Sequence, residues 1–320
     1  MWKVALYLGA LFAVVTNSVA QTWPSRQIQL VVPYAPGGIV DFIARTVAQR
    51  LATQLGQPVV VDNRPGAGGI IGVEYAARSA PDGYTIVLMD PAIVINPSLQ
   101  DKVPYDIKKD LQVVAVIGSS PLVLVVNPSV PSTTLPQLVE YARANPGKLN
   151  FVSAGIGTTP HMAGEMLKLR AAVNMVHVPY KGSGPAMADL VGGQVQMGFS
   201  SITAALPFIQ ESRLRPVATT GAKRSSALPE VATVIESGYS GFEVDLWLAI
   251  FCPANLPASV VAKLNAELGK ALEDQAVRAA FAKSGVEPRI VGVDESTRFV
   301  RAEFEKWANV VRDANLKEAR

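Results

Sequence analysis

The chain has 320 residues, with 29 Lys and Arg against 26 Asp and Glu and a net charge of +3. Apolar residues make up 49% and charged residues 17%, which excludes an intrinsically disordered chain. So mild a positive balance, with no run of Lys or Arg, gives no reason to expect a nucleic-acid partner.

Residues 1–20 read as a secretory signal. Lys3 supplies the positive n-region, residues 4–15 form an apolar core broken only by Gly9, and Ser18-Val19-Ala20 is a small-x-small cleavage site. The apolar core is short for a membrane span, and no cysteine follows it to carry a lipid, so a free secreted protein starting near Gln21 is expected. About 300 residues then remain, too many for one compact core and suited to two domains. The single Cys252 cannot form an intrachain disulfide and sits in the apolar run 246–252, as a buried inert thiol would.

The mature chain opens with a strand–loop–helix unit. Residues 28–32 are a short β-rich apolar run, and Val40, Ile43, Ala44, Val47 and Leu51 follow at the spacing of one helix face. Between them lies Pro33-Tyr34-Ala35-Pro36-Gly37-Gly38, where paired glycines permit a close backbone approach. The N-terminus of the following helix offers unpaired N–H groups and a partial positive charge, an anion site that needs no charged side chain.

Strand and helix patterns then alternate, which predicts an α/β fold with mostly parallel sheets. A second strand is expected at 58–62, a glycine-rich loop at 63–69, a helix over 70–80 and a third strand at 84–89. Asp90-Pro91-Ala92 comes straight after that strand, where open parallel sheets place ligands. Separate strands are expected at 113–117 and 122–126, and a helix capped by Thr133 or Thr134 to Asn145. A strand at 149–153 leads into the loop 154–161, where Thr159 is expected as N-cap with Pro160 in the first helical position. Strands at 175–178, 194–199 and 215–219 alternate with helices to Val191 and over 206–212. From about Gly241 the pattern changes to one strand, 244–251, and then helices, a tail predicted to pack back on the first domain.

Three loops thus share one design, a strand followed by small or glycine-rich residues and a helix start: 33–41, 154–161 and 179–185. If they face one cleft, several helix ends converge on one anion, with Thr158, Thr159 and Ser183 adding hydroxyls. Asp41, in a first helical turn, is expected to satisfy orphan N–H groups beside the site. His161 looks the more exposed of the two histidines, and a helix N-terminus disfavours its charged form. His161 and His177 alone, with no clustered Cys or carboxylates, do not suggest a metal site. No Gly-x-Ser-x-Gly elbow or Walker sequence is present, and the loop 66–71 departs from the dinucleotide fingerprint at its last position. No enzyme activity and no cofactor are expected.

These loops, spelled out, resemble the substrate-binding receptors of tripartite tricarboxylate transporters, also called Bug proteins. The matching blocks are Val-Val-Pro-Tyr-Ala-Pro-Gly-Gly with Asp41, Val-Asp-Asn-Arg-Pro-Gly-Ala-Gly-Gly (61–69), Pro-Asp-Gly-Tyr-Thr (81–85) and Pro104-Tyr105-Asp106 with Lys109-Asp110. Gly155-x-Gly157-Thr158 with His161, Val178-Pro179-Tyr180-Lys181-Gly182, Trp247 and Pro253-Ala254 continue the match over essentially the whole mature chain.

The resemblance implies a periplasmic two-domain α/β binding protein that closes like a flytrap on a small carboxylate in a cleft between two parallel-rich sheets. The discontinuous first domain is expected to span 21–123 and 221–320, and the second 124–220. It implies ligand contacts at Tyr34, Ala35, Pro36, Gly37, Gly38, Asp41, Gly157, Thr158, Thr159 and His161, with Tyr180, Lys181 and Ser200 beside them. Where relatives often carry an Asp, this chain has Ser200; Gln196 stands where an acid is common and Ala232 where a proline is common. Loss of the acid at Ser200 leans toward a plain carboxylate rather than an amino-bearing one. The implied partners are a mono-, di- or tricarboxylate and the permease subunits of a tripartite transporter, served by a monomer. A co-receptor for a periplasmic sensor kinase is the alternative that the same clamp would serve.

Overall fold

The structure, a computed structural model, describes residues 23–313 and 315–317. The secretory signal expected at 1–20 lies outside the described residues. β1 (Ile28–Val32) is almost wholly buried, as a strand without a polar face must be. α1 (Ile39–Leu55) buries Ile39, Val40, Ile43, Ala44, Val47, Ala48 and Leu51 and ends at Gly56, whose φ of +65° provides the left-handed C-cap. β2 (Val59–Asn63), a short turn over 67–69, α2 (Ile70–Ala77) and β3 (Thr85–Met89) follow. β1 pairs in parallel with β2 on one side and β3 on the other.

α3 (Ala92–Leu99) is a helix that the sequence pattern does not predict. Its first five residues are all buried, so no polar stripe marks the period. β4 (Leu111–Val126) is one strand of 16 residues where the sequence predicts two. After α4 (Leu135–Ala144) come β5 (Asn150–Ser153), α5 (Thr159–Ala171), β6 (Val176–Pro179) and α6 (Ser183–Val191). β7 (Met197–Ser201), α7 (Ile202–Gln210) and β8 (Arg215–Thr219) complete the second lobe. The tail is β9 (Asp245–Pro253), α8 (Ala258–Glu273), α9 (Gln275–Lys283), the two-residue β10 (Glu287–Pro288) and α10 (Val293–Asp313).

Two α/β lobes result, joined through β4. Its first part, to Pro121, pairs antiparallel with β9, and its last part, from Leu122, pairs antiparallel with β7 and β8. The first sheet runs β2-β1-β3-β9-β4, and the second continues β4-β7-β5-β6. Among the named strands of the described residues, parallel pairing is confined to β2-β1-β3 and to β7-β5-β6. The strands at the seam are antiparallel because the chain passes out to the second lobe along β4 and returns along β9. Thr220 stitches this crossing: its Oγ1 accepts the Leu122 N–H at 2.8 Å and donates to the Val244 carbonyl.

The tail packs on the first lobe. The indole N–H groups of Trp247 on β9 and Trp307 on α10 both donate to Glu303 Oε2, at 2.9 and 3.1 Å, and the Val116 N–H of β4 donates to Ser296 Oγ at 3.0 Å. Cys252 is a buried free thiol whose pKa burial pushes up to about 12, as an inert core cysteine's should be. Among the described residues no helix is long and apolar enough to cross a membrane.

Candidate functional site

The loops after β1, β5 and β6 each lead into a helix start on the cleft between the lobes. The N-cap of α1 is Gly38, that of α5 is Thr158 and that of α6 is Gly182, and no side chain caps any of the three. Thr158 could have capped α5, but its Oγ1 donates to the Gly155 carbonyl at 2.7 Å instead. The expected cap at Thr159 is therefore displaced by one residue, and Pro160 takes the second helical position. By contrast α4 and α9, away from the cleft, are capped by Thr134 and Asp274. Ser201, on the cleft wall, does cap α7 by accepting the Ala204 N–H, so the helix starts open to an anion at the cleft are those of α1, α5 and α6.

Two of these loops are braced alike. The Gly37 N–H donates to Asp41 Oδ2 at 3.0 Å, and the Gly157 N–H donates to His161 Nδ1 at 3.2 Å. Each brace reaches back four residues from the first helical turn, one residue beyond the usual capping box. Both glycines sit at positive φ, +93° and +78°. Burial pushes the Asp41 carboxyl up, but hydrogen bonds from Arg45, the Gly37 N–H and Asn63 outweigh it and hold the pKa below the usual value. Asn63 also donates to the Tyr34 carbonyl, so it ties the loop to its own brace.

His161 is buried, at 7% exposure, and His177 is the more open of the two, which reverses the sequence expectation. The N-terminal part of α5 packs into the lobe rather than facing water, because residues 159–167 are all buried. The two rings stack with centroids 4.1 Å apart, and His177 stacks in turn on Phe151. Burial lowers the His161 pKa to about 3, helped by His177 and Lys168, so the ring is neutral and Nδ1 is free to accept. His177, lowered to about 4 by burial and Lys168, shares a 2.7 Å hydrogen bond with Ser153 Oγ.

The cleft holds two chambers that share Tyr34, Ala35, Ala154, Lys181 and Gly182. One, of about 510 Å³, is bounded by residues 34–40, by Thr158 and Pro160, and by residues 181–188. All three uncapped helix starts reach it. Val152, Met187, Phe199, Phe208 and Leu246 give it an apolar wall, and Ser200, Ser201 and Asp90 add polar atoms. The other, of about 890 Å³, lies between the 65–69 loop, residues 99–102 and the 154–156 and 179–182 loops. Asn96 of α3 donates to the Gly68 carbonyl of its own lobe at 3.0 Å and presses across the cleft on Gly157, where an added Cβ would clash with Asn96 Oδ1.

Of the residues read from the sequence, Tyr34, Ala35, Pro36, Gly37, Gly38, Thr158, Lys181 and Ser200 line the smaller chamber. Asp41, Gly157 and His161 stand behind it as braces, and Thr159 is fully buried with its hydroxyl enclosed and unpartnered. Tyr180 lines the larger chamber and is turned aside by a 2.6 Å hydrogen bond to Asp189, which raises its pKa to about 12. Asn63, Asn96 and the apolar wall are not among the expected site residues, and Asp90 is expected only by its place after a strand, not as a ligand contact. The structure places Asp90 on the smaller chamber, in keeping with that strand-end position, whereas the wall comes from distant segments that carry no local signal.

The family model described as the tripartite tricarboxylate transporter family receptor matches residues 43–316. The chain belongs to that family. The receptor is 40% identical over 302 residues to Protein BugT of Bordetella pertussis, covering 93% of this chain and 92% of that one. It superposes on Rpa4515 of R. palustris, solved with adipate, with a TM-score of 0.88 and 34% identity over 92% of this chain and 98% of that one. MatC of Rhodopseudomonas palustris, solved with bound malate, gives a TM-score of 0.84 and 31% identity over 90% of this chain and 99% of that one. These likenesses agree with the two-lobed α/β binding-protein architecture of the receptor.

Proposed function

We propose that this receptor is a periplasmic solute-binding protein that closes on a small organic carboxylate and delivers it to the permease subunits of a tripartite transporter. It acts as a monomer and breaks no bond. Its working lobes are residues 21–123 with 221–320, and residues 124–220. The observation that carries the reading is that helix starts from both lobes, left uncapped, converge on one chamber. Each such end favours an anion by about 0.3–1 kcal/mol, more where partly buried. N–H donors to a carboxylate form charge-assisted hydrogen bonds, and a cleft shut against water strengthens them. The carboxylates bound to Rpa4515 and MatC support the same ligand class here.

A thermal-shift panel of organic carboxylates on the purified protein tests the binding step, since a ligand of the folded state raises Tm by mass action. At least one carboxylate raises Tm, and Gly38→Val removes the rise while leaving the unliganded Tm in place. Gly38 is suited to this test because a Cβ there meets nothing within 4 Å. A panel with no hit, or a rise that survives Gly38→Val, overturns the reading. Uptake of the labelled hit by cells with and without this receptor tests delivery; equal uptake contradicts it.

A further inference from the structure

The lobes touch where neither has room to spare. Asn96 of α3, on the first lobe, is wholly buried and abuts Gly157 of the second-lobe clamp loop. Gly68, also on the first lobe, faces the Ile156 carbonyl of that loop, and a Cβ on it would stand 2.7 Å from the oxygen. Both glycines have positive φ, +61° at Gly68 and +78° at Gly157. Each side of the contact is held from behind. The Asn96 carboxamide is oriented by its 3.0 Å hydrogen bond to the Gly68 carbonyl, and the Gly157 N–H is pinned by His161 Nδ1. Neither can swing aside without losing a hydrogen bond.

Asn96 Oδ1 is buried and finds no donor among the described residues. An unpaired buried acceptor is costly, so hydrogen bonding across the lobes does not account for the contact. Asn96 borders neither chamber, so gripping the ligand does not account for it either. What it contributes between the lobes is bulk. We propose that Asn96 is the closure stop of this receptor, a positioning residue that meets Gly157 when the lobes close and fixes how near the two clamp loops come. This rests on the closing carboxylate clamp proposed above and adds the part that sets its gap. A stop changes affinity without touching the ligand. Extra bulk at the contact holds the loops apart, and the helix start of α1 no longer shares one ligand with those of α5 and α6.

A double-mutant cycle, read in two ways, tests this. The unaltered receptor, Gly157→Ala, Asn96→Ala and the double variant are titrated calorimetrically with malate, succinate, glutarate, adipate, propionate and butyrate, and their unliganded Tm values are measured. Gly157→Ala brings a Cβ against Asn96 Oδ1 and weakens binding of the tightest acid at least roughly tenfold. With Asn96→Ala alongside, the nearest neighbour left to that Cβ is Leu99 Cδ2 at 3.5 Å, an ordinary contact. The double variant therefore regains at least roughly fivefold over Gly157→Ala. The unliganded Tm shows no such recovery, because the two residues meet only when the lobes close. If affinity does not recover, the inference falls while the carboxylate reading stands. The same holds if the unliganded Tm recovers alongside the affinity, since the contact is then a fixed part of the fold. If no acid binds the unaltered receptor, the carboxylate reading fails and takes this inference with it. Should Gly157→Ala not fold, Asn96→Gln puts the question from the first lobe. Its longer carboxamide weakens binding at least roughly fivefold with the unliganded Tm in place, and undiminished binding overturns the stop.

Discussion

The two clamp loops, 33–41 on the first lobe and 154–161 on the second, solve one problem with different chemistry. Each places a glycine at positive φ just before a helix start, and each pins that glycine's N–H to a side chain four residues on. On the first lobe the pin is a carboxylate, held by Arg45 and Asn63 as well. On the second it is a neutral imidazole, kept uncharged by burial and stacked on a second ring. The first brace is therefore an ionic network at the lobe surface, and the second is part of an aromatic core. One feature is common to both: the brace ties down the glycine N–H and leaves the helix start without a side-chain cap.

Breaking the ionic brace should have the largest effect. Asp41→Ala strips partners from the Gly37 N–H, Arg45 and Asn63 at once, and should cost about 2–3 kcal/mol of stability in urea denaturation. Next comes Gly157→Val, strained by its φ and driven against Asn96 of the opposite lobe. It should lower carboxylate affinity by about 1–3 kcal/mol, roughly 5- to 150-fold. Gly37→Val carries the strain but no clash, since a Cβ there meets nothing within 4 Å, and should cost less.

Acid should separate the two braces. His161 has its folded pKa lowered from 6.5 to about 3, so the stability it contributes is complete above pH 6.5 and is lost as the pH falls toward 3. Over the first part of that range, down to about pH 5, the loss should be about 1–2 kcal/mol. Asp41 is also lowered, from 3.8, so its contribution persists until the pH falls below that value. Amide exchange should therefore accelerate at Gly157 before Gly37 as the pH drops, after correction for intrinsic rates; the opposite order would contradict the assignment of the braces. The smallest effect expected is that of His161→Gln, which can still accept from Gly157 and should cost about 1 kcal/mol in stability.

Much of this frame was legible in the sequence, because the elements that carry it are locally encoded. The strand–glycine–helix units at 33–41, 154–161 and 179–185 announced themselves through β-rich runs, paired glycines and helical spacing, and all three reach the cleft. What stayed hidden was non-local. α3 shows no period because its first five residues are buried on every side. β4 reads as two strands since Gly118 to Pro121 interrupt the apolar run, yet β9 pairs straight across them. His161 looks exposed from its place at a helix start, but burial is set by what packs on it, the His177 ring from β6, itself stacked on Phe151 of β5. Tyr180 and Asp41 belong to matching motifs yet stand aside from or behind the smaller chamber, for motifs report position along the chain and not where a side chain turns.

In the proposed receptor, main-chain amides of both lobes hold the acid. The most direct test is an amide-resolved NMR titration of the labelled receptor with a carboxylate that raises its Tm. The helix-start amides of Ile39 and Val40 on one lobe, and of Ser183 and Gly184 on the other, which border the chamber, should move downfield together and saturate at one stoichiometric equivalent. The pinned amides of Gly37 and Gly157 should move least. Shifts confined to a single lobe, or binding that leaves these amides unmoved and depends instead on the Lys181 side chain, would contradict it.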